Sequence, residues 1–534
     1  MSHPKRGRQV EIATVAIGLI FAAAAVWAPG YATSAKTHAM AAADGPSDQG
    51  PQVARQDGDI ALGKQVFRYE TFGNEGFWTD AVRLPQGIAA AKVTPMQALE
   101  LGLQVDVDAI DPATQRALAE QLRKDPSGRT SAILNDPAMT AVLIKANAVV
   151  GMSPKGDKVG ATCALCHTMA DASVFKSPKG GAIGHRIDGL ANHVLNMGTI
   201  FATAANSRAL YPILELDLAA NKHKALGRAP TGLTATSSEA EVDAYLKNPK
   251  YYPVGMFDDT FDGNGDPMHN SPLFRQDLAA PYGSGGAIAK LDNFGNLVYT
   301  TLLDPTNLTT PGGRALLHKL GGAAGDEIAD NYVKVLAATG VKGYPYVIAA
   351  PHPQPGSEEA PAGVRVDNAK LLAMNAYLVS LQAPHGAYVP ADVVMRGRET
   401  FRTAGCTGCH NVDQGRRVPS TIHPMAEIFP GDHPVMLARR EPPLNPVLNT
   451  PGSIFDDKMA IVNASMRGEK RGIAMPLLLD LARKPVFLHD NSVPSLDALL
   501  QPRRGPKAPH PFYIADPARR ADVVGFLRNL DTGS

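Results

Sequence analysis

All four cysteines of the chain fall into two copies of one spacing, Cys163-Ala164-Leu165-Cys166-His167 and Cys406-Thr407-Gly408-Cys409-His410. Two thiols one helical turn apart reach the two vinyl groups of one porphyrin as thioethers, and the adjacent His projects onto the iron, which is the pattern of c-type haem attachment. With this Cys and His content, one such segment arises by chance with odds of roughly 10⁻³, so two are not an accident. A zinc site made from the four cysteines needs no His after each pair, and a redox-active dithiol needs a βαβ setting that is missing here. The expected cofactors are therefore two covalently bound haem c groups, with His167 and His410 as proximal ligands.

Haem iron held by one His keeps a sixth position, whose occupant separates electron transfer from substrate chemistry. Candidates for the first iron are Met169, His185, His193 and Met197. For the second they are His423, His433, Met466, Met475 and His489. A single His or Met is more often a surface group or core filler than a ligand, so spacing alone leaves these sets open.

The elements that must position the motifs repeat as well. Gly63-Lys64-Gln65-Val66-Phe67 and Gly397-Arg398-Glu399-Thr400-Phe401 each open a helical pattern upstream of a motif. Downstream lie Leu371, Leu372, Met374, Tyr377, Leu378 and Leu381 in one unit and Val523, Val524, Phe526, Leu527 and Leu530 in the other, at the spacing of a helix with one buried face. Further helix starts are Thr94-Pro95 with Gln97 as a capping box, Asp111-Pro112, Asp136-Pro137 and Asp516-Pro517. Alternating apolar runs for a large sheet are absent. The fold expected is mainly α, two cytochrome-c-like haem domains over 59–384, with a helical insertion, and 385–534, with long irregular loops at 251–310 and 343–366.

Lys5, Arg6 and Arg8 precede an apolar stretch from Ile12 to Ala28, the order of a secretory signal. Residues 1–35 are read as a signal peptide or N-terminal anchor and 36–58 as a linker, which places the body outside the cytoplasm, periplasmic or exported, with membrane anchoring through the N-terminus as the alternative to cleavage. Across 534 residues, 52 Lys and Arg balance 51 Asp and Glu, so no basic excess is left for a nucleic-acid partner.

Several segments resemble the bacterial di-haem cytochrome c peroxidase superfamily, which includes methylamine-dehydrogenase-maturation enzymes and rubber oxygenases. Gly63-Lys64-x-x-Phe67 looks like its opening helix. Ile183-Gly184-His185, with Asn192 and Leu195-Asn196 following, looks like the segment carrying a displaceable distal His. The stretch Pro485-Val486-Phe487-Leu488-His489-Asp490-Asn491-Ser492 looks like the segment whose His is the distal ligand of the C-terminal haem in the rubber-oxygenase branch. The resemblance implies an oxidoreductase in which the Cys406/Cys409 haem, ligated by His410 and His489, passes electrons from a redox partner protein. The Cys163/Cys166 haem then binds peroxide or oxygen once His185 leaves, and His185 doubles as gate and proton acceptor, with Arg186 beside a propionate.

Departures are equally specific. Asn491 replaces the family's Gly, a mild change at a left-handed position. No Met follows Leu496 before the last helix, although Met475-Pro476 is a rival ligand to His489, and no Trp-Asp-Gly follows His185. Relay residues are not carried over, and Tyr299 is one aromatic candidate for that task. Asp262-Gly263-Asn264-Gly265-Asp266 has the alternating oxygens of a calcium loop, against the plainer reading of an Asx-rich turn. Two other functional classes stay open: a non-catalytic electron carrier with both irons six-coordinate, and a rubber-oxygenase-like cleavage of an organic substrate.

Overall fold

The computed structural model describes residues 59–410 other than 226, 266, 280–281, 284–287 and 409. Toward the C-terminus it describes 477–488, 491, 493–505, 510 and 512–530, together with the backbone of 422–424 and 472–474. The leader, the linker, Cys409, His433, Met466, Met475 and His489 lie outside these residues, as does the side chain of His423. The chain is mainly α, about 47% helix and 9% strand. No helix among the described residues is long and apolar enough to cross a membrane.

Helices begin where short polar side chains satisfy the free N–H groups of a first turn. Asp59 caps Ile60–Tyr69, Thr94 and Gln97 form a capping box at Pro95–Glu100, and Asp111, Asp136 and Asp516 each cap a helix whose first residue is Pro. Two helix pairs form the frame. Ile60–Tyr69 packs on Asn368–Ser380, and Ala391–Thr403 packs on Pro517–Asn529. A Cβ at Gly63 would overlap the carbonyl of Ala373, and one at Gly397 would overlap the carbonyl of Asp522. Four residues further along every helix the aromatic rings meet, Phe67 on Tyr377 at 5.7 Å and Phe401 on Phe526 at 5.8 Å between centroids. The internal repeat is therefore one helix crossing built twice in the same register.

Strands are short and local. Thr168–Ala170 pairs antiparallel with Arg186–Asp188, and Ala182–Gly184 lies between Val105–Asp106 and Phe175–Lys176. The 251–310 stretch is less irregular than its sequence implies, since Leu291–Leu297 is α-helical and continues into a wider turn over Val298–Leu302. Asn293, Gly295 and Asn296 hide this helix from propensity arguments. It forms because the Asn296 amide donates to the Val364 and Glu359 carbonyls and accepts from Val366 N–H, which fixes it to the neighbouring chain.

Apolar clusters meet the motifs directly. Phe67, Phe72, Tyr299, Met374 and Tyr377 surround Cys163, and Phe401, Phe487, Leu496, Phe526 and Leu527 surround Cys406.

Candidate functional site

Ala164–His167 forms a single helical turn with Cys163 as its N-cap, and His167 N–H donates to the Cys163 carbonyl at 3.2 Å. One turn brings both thiols to one side. Burial pushes Cys163 up to about 11 and Cys166 up to about 12, so neither is a thiolate at neutral pH, the opposite of a reactive dithiol. Cys163 Sγ lies 3.3 Å from the hydroxyl of Tyr299, which is fully buried. Tyr299, a candidate from the sequence, thus touches the first sulfur of the Cys163–His167 segment.

His167 is held neutral. Desolvation lowers its pKa to about 4, against the opposing effect of a 2.7 Å bond between Nδ1 and the Ser271 carbonyl. A neutral ring that donates through Nδ1 presents a bare Nε2, the state in which imidazole ligates a metal. Cys163, Cys166 and His167 all retain partial surface although neighbouring protein atoms desolvate each strongly.

A buried carboxylate locks this turn to the helix pair. Asp188 accepts from Arg68 Nε and from the Tyr377 hydroxyl, both at 2.6 Å, and from Thr168 Oγ1 at 3.0 Å. Opening helix, closing helix and the residue after His167 therefore share one anion.

The neighbours of His167 differ from those expected. His185 stands on the same antiparallel ladder, but Gly189 N–H bonds the His167 carbonyl whereas Asp171 N–H bonds the His185 carbonyl. Four residues at the rise of a strand separate the two positions by about 13 Å. The His185 side chain is exposed and its Nδ1 lies 3.0 Å from Asp108, whose charge raises the His pKa. The structure does not bring His185 to His167. Arg186 is equally occupied: it is buried, pairs with Asp106, and donates to the Asn147 carbonyl at 2.8 Å. Met197 is core, and Met169 packs beside Leu190 and Phe274.

His193 is the histidine delivered instead. Asn192 N–H donates to the Cys166 carbonyl at 2.9 Å, and Asn270 Nδ2 donates to the Asn192 carbonyl at 3.0 Å. Gly255, at φ 76°, lies so close to the His193 carbonyl that a side chain there would collide with it. Burial first, then Lys484 and His167, lower His193 to about 4, and its Nδ1 is buried without a hydrogen-bond partner. The His269 ring is 6.5 Å from that of His193, and its Nε2 lies 3.3 Å from Lys484 Nζ. Lys484 comes from the C-terminal part of the chain and is lowered to about 8 by burial; no described carboxylate pairs with it. His269, Ser271 and Lys484 carry no motif, and only their place in the fold identifies them.

At the second motif, Gly405 at φ 80° ends the Ala391–Thr403 helix and the chain turns through Cys406–Gly408. His410 N–H donates to the Cys406 carbonyl at 3.0 Å. The His410 ring lies 6.3 Å from Phe401 and 6.2 Å from His510, the latter at 41° between planes. His510 is lowered to about 3 by burial, with His410 and Arg504 adding to the effect, and its carbonyl accepts from the buried Arg504 at 3.3 Å. Sequence reasoning passed over His510, which carries no motif beyond its place just before the last helix. Asn491 adopts φ 56°, the left-handed position inferred for it.

Asp262 closes an Asx turn, accepting from Asn264 N–H at 2.9 Å and from its amide at 2.7 Å. Among the described residues no group of three or more His, Cys, Asp or Glu is arranged to hold a metal ion.

No protein-family model and no curated protein matches the chain. Among solved structures, hydrazine synthase from Kuenenia stuttgartiensis, determined under 20 bar xenon, aligns over 52% of this chain and 76% of its own, at 14% identity and a TM-score of 0.26. A likeness at that level carries no argument about fold or chemistry.

Proposed function

We propose that the protein is an exported di-haem c-type cytochrome acting as a peroxidase-like oxidoreductase, with an oxidant-binding haem at Cys163, Cys166 and His167 and an electron-transfer haem at Cys406, Cys409 and His410. The observation that carries this reading is the 2.7 Å bond from His167 Nδ1 to the Ser271 carbonyl, which leaves Nε2 bare in the same helical turn as the two thiols. The residues fit a haem in other respects. Lys484 offers a strongly desolvated ammonium, with no described carboxylate paired to it, to a propionate. His193 offers a ring nitrogen that the protein leaves unsatisfied.

A bound haem supplies one-electron chemistry and a position for an oxidant. The chain's own residues divide the remaining work. Ser271 fixes the His167 tautomer. Tyr299 packs against the attachment sulfur of Cys163. His193 presents an unprotonated ring and Lys484 a desolvated amine, linked through His269. Two such groups beside the first motif favour catalysis over simple relay.

Carbon monoxide titration of the reduced protein tests the reading. Binding at one haem supports an enzyme, whereas binding at neither supports a carrier with both irons six-coordinate.

A further inference from the structure

Resting on the di-haem reading, we infer that His510 is the second axial ligand of the haem held by Cys406, Cys409 and His410. Two imidazoles bound to opposite faces of one iron, through nitrogens about 2 Å from the metal, have ring centroids roughly 6 Å apart. His410 and His510 stand at 6.2 Å. Aromatic packing spans the same range, so the spacing acquires its meaning from two further features.

The first is the state of the His510 ring. The side chain is partly buried, and its Nδ1 is buried without a hydrogen-bond partner. A core histidine normally satisfies both ring nitrogens, and leaving one unsatisfied is unfavourable unless another group meets it. The second is the backbone. His510 adopts φ 56°, uncommon for a residue with a side chain, while the buried Arg504 holds its carbonyl from the other side. A left-handed backbone and an unsatisfied buried ring nitrogen at one residue, 6.2 Å from the ring of His410, fit a ligand position.

The two sites then differ in kind. The second iron is closed by His510 from the segment just before the last helix, and the first faces the group of His193, His269 and Lys484.

The test uses the full-length, haem-loaded protein. His510→Ala is expected to raise the carbon monoxide bound by the reduced protein by one equivalent per chain, and added imidazole to restore the six-coordinate spectrum. His510→Met is expected to produce a sulfur-to-iron charge-transfer band in the oxidised state. His489→Ala and Met475→Ala are expected to leave the carbon monoxide count at the wild-type value. A chain with two haems whose count is unchanged by His510→Ala and raised by His489→Ala overturns this inference and leaves the proposed function standing. A chain whose mass shows no haem overturns both.

Discussion

Gly397 lies against the carbonyl of Asp522 with no room for a side chain, and Gly63 stands in the same relation to the carbonyl of Ala373. Each contact sets how closely an opening helix approaches a closing helix, and each crossing has one Cys-x-x-Cys-His segment against its opening helix. An Ala in an exposed helix normally stabilises by up to about 1 kcal/mol over Gly. Here Gly63→Ala and Gly397→Ala are expected to destabilise by about 1–3 kcal/mol, because the helices must move apart. Denaturant midpoints of the haem-loaded protein check this, and a raised midpoint would contradict the crossing.

Removing the buried, shared anion Asp188 leaves the half-buried Arg68 without its partner and Tyr377 and Thr168 without an acceptor. Asp188→Ala is expected to cost about 3–5 kcal/mol in urea unfolding, the range for breaking a buried pair. A loss under about 1 kcal/mol would show that the three elements hold without it.

His193→Ala is expected to alter the absorption of the first haem and slow peroxide consumption, whereas His185→Ala is expected to alter neither. The contrast follows from the ladder that separates His185 from His167 and from the Cys166 to Asn192 bond that brings His193 near. Unchanged spectra in His193→Ala together with altered spectra in His185→Ala would reverse the assignment.

Glu215 is fully buried, accepts from Ala229 N–H at 2.7 Å, and is raised to about 7 by burial. A carboxyl whose folded pKa lies above its unfolded value holds its proton longer in the folded state. Stability therefore falls as pH rises from about 4.5 and levels off above about 7. Glu215→Gln is expected to flatten this slope and to stabilise the protein at pH 8 relative to wild type. Chemical denaturation at pH 5 and pH 8 measures it, and identical slopes in both proteins would contradict it.

Motifs and helix starts were legible because they are local. The Cys-x-x-Cys-His spacing, the Asp-Pro caps and the Gly-x-x-x-Phe repeat each state their chemistry within a few residues, and the caps and the repeat stand where expected. The surroundings of His167 were not legible, since Ser271 reaches it, and Lys484 reaches His269, through tertiary contacts that leave no periodic trace. His185 drew attention through a short segment, Ile183-Gly184-His185, whose Gly suggested a tight turn over a porphyrin. In the fold, that Gly ends a strand, and His185 is turned outward to Asp108.

Intact mass of the exported protein, made in a host that matures c-type cytochromes, tests the central claim most directly. The account predicts a polypeptide heavier by two haem groups, one of them lost when Cys163 and Cys166 are both replaced by Ala. An unmodified polypeptide mass, or a zinc adduct in place of haem, would contradict it.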